Sequence, residues 1–446
     1  MSHKTSVVGS APGALPLLGH VHRLARQPLD FLMSLPQYGD LVRIKLGPRD
    51  AYVVCNPGLL KTVIHGTALY DKGGPLYEKM QDLFGDGLAN CPDDVHRRDR
   101  PLLQPLVHES RLPQYADTVA QCTSAMLSEW KDGADLDDLF AELYRLTTRI
   151  IIHAVLGESI DERTGDELGG HFPHAGRAIF KRMALPIPAL EKVPTSDNRR
   201  CALALKRSHE IVDLGIDTYR SRETAHQRDM LAFLLRIRRD GRPLPAKEVH
   251  DQVMTLLFGG ADTVASALSW CIVLLGRHPN LRDAVAAEAR ETLRTGPARY
   301  SDLKALKLTS RVVHESLRIY PPVWVTTRIV PRSTELAGQQ IKAGTVILCS
   351  PYIFHHSGTY FPEPEIFDPD RWHPGRAPSP KDFTYLPFMA GNRKCLAYVL
   401  ATNELIQIIA SIVADWTVEF PDGLDLTPRP LSSLSPPVLP ARLTKV

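Results

Sequence analysis

The stretch that decides the fold is Pro387-Phe388-Met389-Ala390-Gly391-Asn392-Arg393-Lys394-Cys395-Leu396-Ala397. A glycine four residues before the cysteine permits a tight turn at positive φ. Such a turn can aim backbone N–H groups at the sulfur. An apolar run with helical period follows, so a helix is expected to start directly after Cys395 and to reach about Ala414. Its N-terminal dipole, with Arg393 and Lys394 alongside, favours a thiolate. A thiolate serves as a nucleophile or as a metal ligand, and the bland alternative is an inert buried thiol. The nucleophile needs a histidine base, and with 17 histidines in the chain the presence of one discriminates little.

Three further constellations surround this loop. Glu315-Ser316-Leu317-Arg318 places an acid and a base at i,i+3 inside an apolar helical stretch, and buried charges must be paired. Gly259-Gly260-Ala261-Asp262-Thr263 puts two glycines in a helix, each costing about 1 kcal/mol against alanine. Gly259 and Thr263 share a face, and threonine can bond the i−4 carbonyl and loosen the turn. Absent side chains and a loosened turn make a groove. His96-Arg97-Arg98-Asp99-Arg100 places His96 and Arg100 one turn apart, so both can point inward, which leaves Arg97 and Arg98 facing outward.

Taken as F-x-x-G-x-R-x-C, the residues Phe388, Gly391, Arg393 and Cys395 resemble the haem-binding signature of the cytochrome P450 family. Met389 stands where that family usually has glycine or serine, and Ala397 where glycine is commonest. The resemblance spans residues 96–397 in the family's motif order, and Pro16-Leu17-Leu18-Gly19-His20 is similar to its opening. It implies a mainly α fold with small β-sheets, with haem b held between a long central helix and the cysteine loop. Cys395 would be the axial iron ligand. His96, Arg100, Arg328 and Arg393 would meet the haem propionates. Gly259 would border the O₂ groove, with Asp262 and Thr263 as the acid–alcohol pair that handles protons. Glu315, Arg318 and Arg371 would form a buried structural triad.

The same resemblance implies a monooxygenase that inserts one atom of O₂ into a small or medium-sized apolar substrate. A separate donor, such as a ferredoxin with its reductase, would supply electrons, and an acidic carrier could dock on Arg97 and Arg98. The wall segments expected are Lys72 to Leu88, Phe172 to Pro188, the Gly260 face of the central helix, and Val323 to Thr326. The nearest resemblance is to actinobacterial members acting on terpenes and other secondary metabolites. Desaturation, C–C coupling, a non-catalytic haem carrier and a cysteine hydrolase stay open as alternatives.

Composition agrees with an ordinary globular enzyme. The net charge of +3 carries no basic excess for nucleic acid and no acidic excess for disorder. The 446 residues are expected to form one domain. Neither G-x-G-x-x-G nor G-x-x-x-x-G-K-[ST] occurs, so the chain shows no flavin or nicotinamide module of its own. The seven cysteines are widely spaced with no C-x-x-C pair, which points to a reducing cytoplasm. Met254–Gly276 is long and apolar enough to span a membrane, but Gly259, Gly260, Asp262 and Thr263 sit near its middle. A buried central helix, with no membrane anchor, is the expectation. Helical periodicity runs over 115–157, 199–221, 247–296 and 302–319, with short strands at 41–55 and 324–349 and proline-rich connections after them.

Overall fold

The computed structural model describes residues 6–184, 193, 195–221 and 229–446. Its organising element is the helix Ala246–Arg277, 32 residues long and therefore about 48 Å from end to end. Its apolar residues lie all round rather than on one stripe, and Leu257, Ala261, Leu268, Trp270 and Ile272 are all buried. It packs against helices Leu139–Leu156, Lys307–Ile319 and Tyr398–Asp415. It and Tyr398–Asp415 are long and apolar enough to cross a membrane, and both are mostly buried inside the protein.

Helix ends follow local chemistry. Periodicity over 115–157 resolves into two helices, Leu112–Glu129 and Leu139–Leu156, because Asp135–Leu136 leaves to pair with a C-terminal strand. Asp138 then caps the second helix through the Phe140 N–H at 3.0 Å. The stretch 247–296 breaks at His278, since Pro279 lacks the N–H to continue a helix and instead opens Pro279–Thr292. Lys307–Ile319 stops at Tyr320, before Pro321-Pro322.

A six-stranded sheet lies beside this helical body. Its order is Val8–Ser10, Leu41–Leu46, Arg49–Val54, Val346–Cys349, Thr326–Ile329, Asp71–Lys72. Leu41–Leu46 and Arg49–Val54 form the antiparallel hairpin expected around Gly47-Pro48. The last pairing sets Lys72 opposite Arg328. Two cations on neighbouring strands are thereby fixed side by side, at the edge of the sheet that meets the helices.

The Glu315 cluster anchors the rest. Arg318 and Glu315 are both fully buried, joined by Nε–Oε2 at 3.0 Å and Nη2–Oε1 at 2.8 Å. Arg371 Nε donates to Glu315 Oε1 at 3.2 Å, as expected. Trp372 Nε1 donates to Oε2 at 2.9 Å, a contact the sequence pattern did not disclose. Arg318 Nη1 also reaches His355 O at 2.8 Å.

Candidate functional site

One cavity of about 390 Å³ gathers the site. Its lining includes Cys395 and Phe388 from the loop, His96 and Arg100 from helix Asp93–Leu103, and Gly259, Asp262 and Thr263 from the central helix. Arg328 and Lys72 join from the sheet, and Arg393 from the loop. Gly391 belongs to the loop's turn but not to the cavity wall. Its φ is +67°, and a Cβ there would sit 2.8 Å from Ile64 Cγ2, so only glycine fits. Met389 also has positive φ, at 55°. Glycine adopts that conformation without steric cost, whereas methionine leaves local strain.

Six cysteines are buried, whereas Cys395 is exposed, and it exposes its surface to this cavity. Its own N–H donates to Phe388 O at 3.0 Å, and the loop is tied down by Arg100 Nη1 on Lys394 O at 2.7 Å. The helix begins at Tyr398, two residues later than expected, with Ala397 at its N-cap. The Ala397 N–H still turns to the sulfur. Burial nevertheless pushes the thiol up, and Ala397, Arg100, Lys72 and Lys394 offset only part of that. The backbone N–H and the basic neighbours thus act in the direction expected, against burial, and a cation on the sulfur would favour the thiolate further. Among the described residues no group of three His, Cys, Asp or Glu could hold a metal ion. A metal at Cys395 must bring its other ligands with it, as a macrocycle does.

The cation cluster fits the acidic edge of such a macrocycle. Arg393 Nη1 donates to Cys91 O at 2.8 Å and Nη2 to Asp71 Oδ1 at 3.1 Å. Arg328 spends Nη1 on its neighbour's carbonyl, Thr327 O, at 3.0 Å. The Nε atoms of both arginines are buried without a partner. Unpaired buried donors are costly, so these two call for an anion at the cavity. His96 is 2 % exposed, and its pKa falls to about 3, first through burial and then through Arg393, Arg100, Lys72 and Arg328. It is neutral at neutral pH and offers a single ring N–H. Lys72, expected as substrate wall, lines the cavity and also joins this cluster: Nζ donates to Ala89 O at 2.7 Å and lies 4.8 Å from the Tyr77 ring centroid. Arg97 and Arg98 do face outward, but Arg97 pairs with Asp93, and Arg98 with Asp99 and Glu248. They are thus less available to an acidic carrier than a free basic run would be.

On the central helix, Thr263 Oγ1 donates to Gly259 O at 2.8 Å, the expected i−4 bond. A Cβ on Gly259 would meet nothing within 4 Å, so its missing side chain leaves open space. Gly260 is different. A Cβ there would lie 2.7 Å from Ile151, so this glycine serves close helix packing, and only its backbone borders the cavity. Asp262 is 7 % exposed, and Ser432 Oγ donates to its Oδ2 at 3.0 Å. The expected wall segments supply Leu76, Tyr77, Met80, Phe84 and Leu88, then Gly176 and Ile179, then Val323 to Thr326. Of the segment Phe172 to Pro188, residues 185–188 lie outside the described residues. Sequence reading missed Leu431 and Ser432, from a stretch read as a proline-rich irregular connection, and it missed Glu404.

Glu404 lines the cavity at 2 % exposure and accepts from Tyr115 Oη at 3.3 Å. Burial raises its pKa from 4.5 to about 8 against that bond. Between those values the folded chain keeps a proton that the unfolded chain releases. Stability is then full below about pH 4.5, falls as pH rises toward 8, and levels off above. Glu404→Gln is expected to flatten this part of the profile in unfolding curves at pH 5 and pH 8; parallel curves for the two proteins would show that the carboxyl ionises freely.

The family model for cytochrome P450 matches residues 10–443. The chain is 38 % identical to cyclooctatin synthase of Streptomyces melanosporofaciens, over 95 % of this chain and 93 % of that protein. It is 39 % identical to cyclooctat-9-en-7-ol 5-monooxygenase of the same organism, over 94 % and 91 %. Pentalenene oxygenase of Streptomyces avermitilis is 35 % identical over 98 % and 97 %. A thiol on a cavity bordered by two arginines with unpaired Nε donors, with a matching family over nearly the whole chain, leaves one conclusion: this protein belongs to the cytochrome P450 family, the monooxygenases that bind haem b through a thiolate.

Proposed function

We propose that the protein oxygenates an apolar terpenoid, with Cys395 as the iron's thiolate ligand and the whole chain working as one domain. One observation carries the reading: a single cavity joins Cys395, the orphaned Arg328 and Arg393 donors, and the Asp262–Thr263 turn to an apolar wall. The terpenoid assignment draws on the three relatives, whose names describe cyclooctatin synthesis, 5-monooxygenation of cyclooctat-9-en-7-ol and oxygenation of pentalenene. Bound haem supplies the reduction and cleavage of O₂. The chain's residues do the rest. Arg328, Arg393, His96 and Arg100 hold and orient the haem carboxylates through charge-assisted bonds. Leu76, Met80, Phe84 and Val323 bind the substrate and exclude water. Thr263 Oγ1, parked on Gly259 O, and the Asp262 carboxyl hold protons beside the groove that Gly259 leaves open. Electrons come from a ferredoxin-type protein with its reductase. Burial of both long apolar helices supports a chain that does not cross a membrane through them.

The test is a panel of pentalenene, cyclooctat-9-en-7-ol, a macrolide and a steroid, read by the spin-state shift of the ferric haem. A terpenoid is expected to give the largest shift. A shift from the macrolide or steroid alone would overturn the assignment. Thr263→Ala tests proton handling. Alanine suits a helix better than threonine, so folding and carbon monoxide binding are expected to persist. Product per reductant consumed is expected to fall, with hydrogen peroxide released instead. Positioned acid–base groups supply about 10²–10⁴-fold, and a water in the vacated space returns part of it. An unchanged ratio would reduce Thr263 to a helix residue.

A further inference from the structure

We infer that Ser432 is a positioning residue for Asp262: its hydroxyl, carried on a rigid C-terminal segment, holds and aims the carboxyl. The inference rests on the reading of Asp262 as proton carrier given above. Ser432 lies 170 residues from Asp262, and its Oγ donates to Oδ2 at 3.0 Å. A carboxyl buried as deeply as Asp262 is costly without donors.

The segment that carries Ser432 is fixed without it. Leu431 O accepts from Trp324 Nε1 at 3.1 Å, and Leu434 N donates to Pro322 O at 2.9 Å. Leu434 O accepts from Trp270 Nε1 at 2.8 Å, and Ser433 Oγ meets Ser266 Oγ at 3.0 Å. Asp262, Ser266 and Trp270 are spaced i, i+4, i+8, so one stripe of the central helix faces one stretch of chain. The frame survives loss of the Ser432 hydroxyl, and what is lost is the bond to the acid.

The surroundings of Asp262 make that bond matter. Burial raises its pKa; Ser432 and then Ser433 pull it back. From helix Leu139–Leu156 the group facing it among the described residues is Tyr144, whose buried hydroxyl has no partner and whose own ionisation the carboxylate opposes. A donor to the charged form lowers the proton's hold. Removing Ser432's hydroxyl therefore leaves Asp262 protonated to higher pH and held by Ser433 alone of the two serines.

The experiment compares Ser432→Ala, Ser432→Thr and Asp262→Asn in the haem-loaded protein, using the terpenoid with the largest spin-state shift. It reads product per reductant against pH, together with the spin-state titration. For Ser432→Ala the ratio is expected to fall at least about threefold, a part of the about 10²–10⁴-fold that positioned acid–base groups supply. The ionisation governing that ratio is expected to move to higher pH, and the spin-state titration to stay as in wild type. Ser432→Thr, which keeps a hydroxyl, is expected to restore both ratio and profile. If Ser432→Ala matches wild type while Asp262→Asn uncouples, the proposal fails and Asp262 keeps its role. If Asp262→Asn also matches wild type, the proton-carrier reading itself fails. Lost coupling with a weakened spin-state response and an unmoved pH profile would show that Ser432 acts on the substrate rather than on Asp262 and overturn the proposal.

Discussion

In the Cys395→His protein, the reduced carbon monoxide complex is expected to lose the red-shifted band of a thiolate-ligated haem, and oxygenation is expected to cease. The thiolate pushes electron density onto the iron, and imidazole does so far less. No other cysteine is placed to substitute: the remaining six are buried, and Cys395 is the one on the cavity surface. The loop should tolerate the change, since its shape comes from Gly391, the Phe388 carbonyl and the Arg100–Lys394 tie rather than from the sulfur. A retained thiolate band would reassign the ligand. Cys91 would be the first to examine, because its sulfur lies 4.0 Å from Arg393 Nη1.

Arg318→Ala is expected to leave little folded, haem-loaded protein. The arginine and Glu315 are both at zero side-chain exposure, and their two-pronged contact is the strongest geometry open to the pair. Breaking such a pair from one side costs about 3–5 kcal/mol, against a total stability of roughly 5–15 kcal/mol for an ordinary domain. The loss also strips His355 O of its donor. Arg371, Trp372 and the Asp368 N–H remain on Glu315 and soften the effect. Arg318→Lys keeps the charge without the fork, and its unfolding midpoint and haem content are expected to lie between the other two. Normal haem content and an unshifted midpoint in Arg318→Ala would show that the cluster contributes nothing to stability.

Much of this was legible in the residues. Cys395, its turn glycine, the Glu315–Arg318 spacing and the Gly259–Thr263 stripe are local patterns, and local patterns are governed by bonds within a helical turn or a tight loop. The i−4 bond of Thr263 to Gly259 O is of that kind. So are the stop at Tyr320 before two prolines and the hairpin at Gly47. Where local period misled, a distant partner had intervened: Asp135–Leu136 is drawn out of a helical stretch by residues 441–442.

What the tertiary structure alone decided is which distant groups meet. Strand pairing sets Lys72 opposite Arg328 and so brings a cavity-wall residue in among the cations. Gly260 looked like a groove-former and proves to be where helix Leu139–Leu156 presses in through Ile151. Burial raises Cys395 despite its basic neighbours and raises Glu404 to about 8. The bond from Ser432 to Asp262 spans 170 residues. Motif spacing determines which side chains share a turn, because the backbone geometry of a turn is fixed. It carries no record of desolvation or of contacts closed over hundreds of residues, since those arise only when the elements pack.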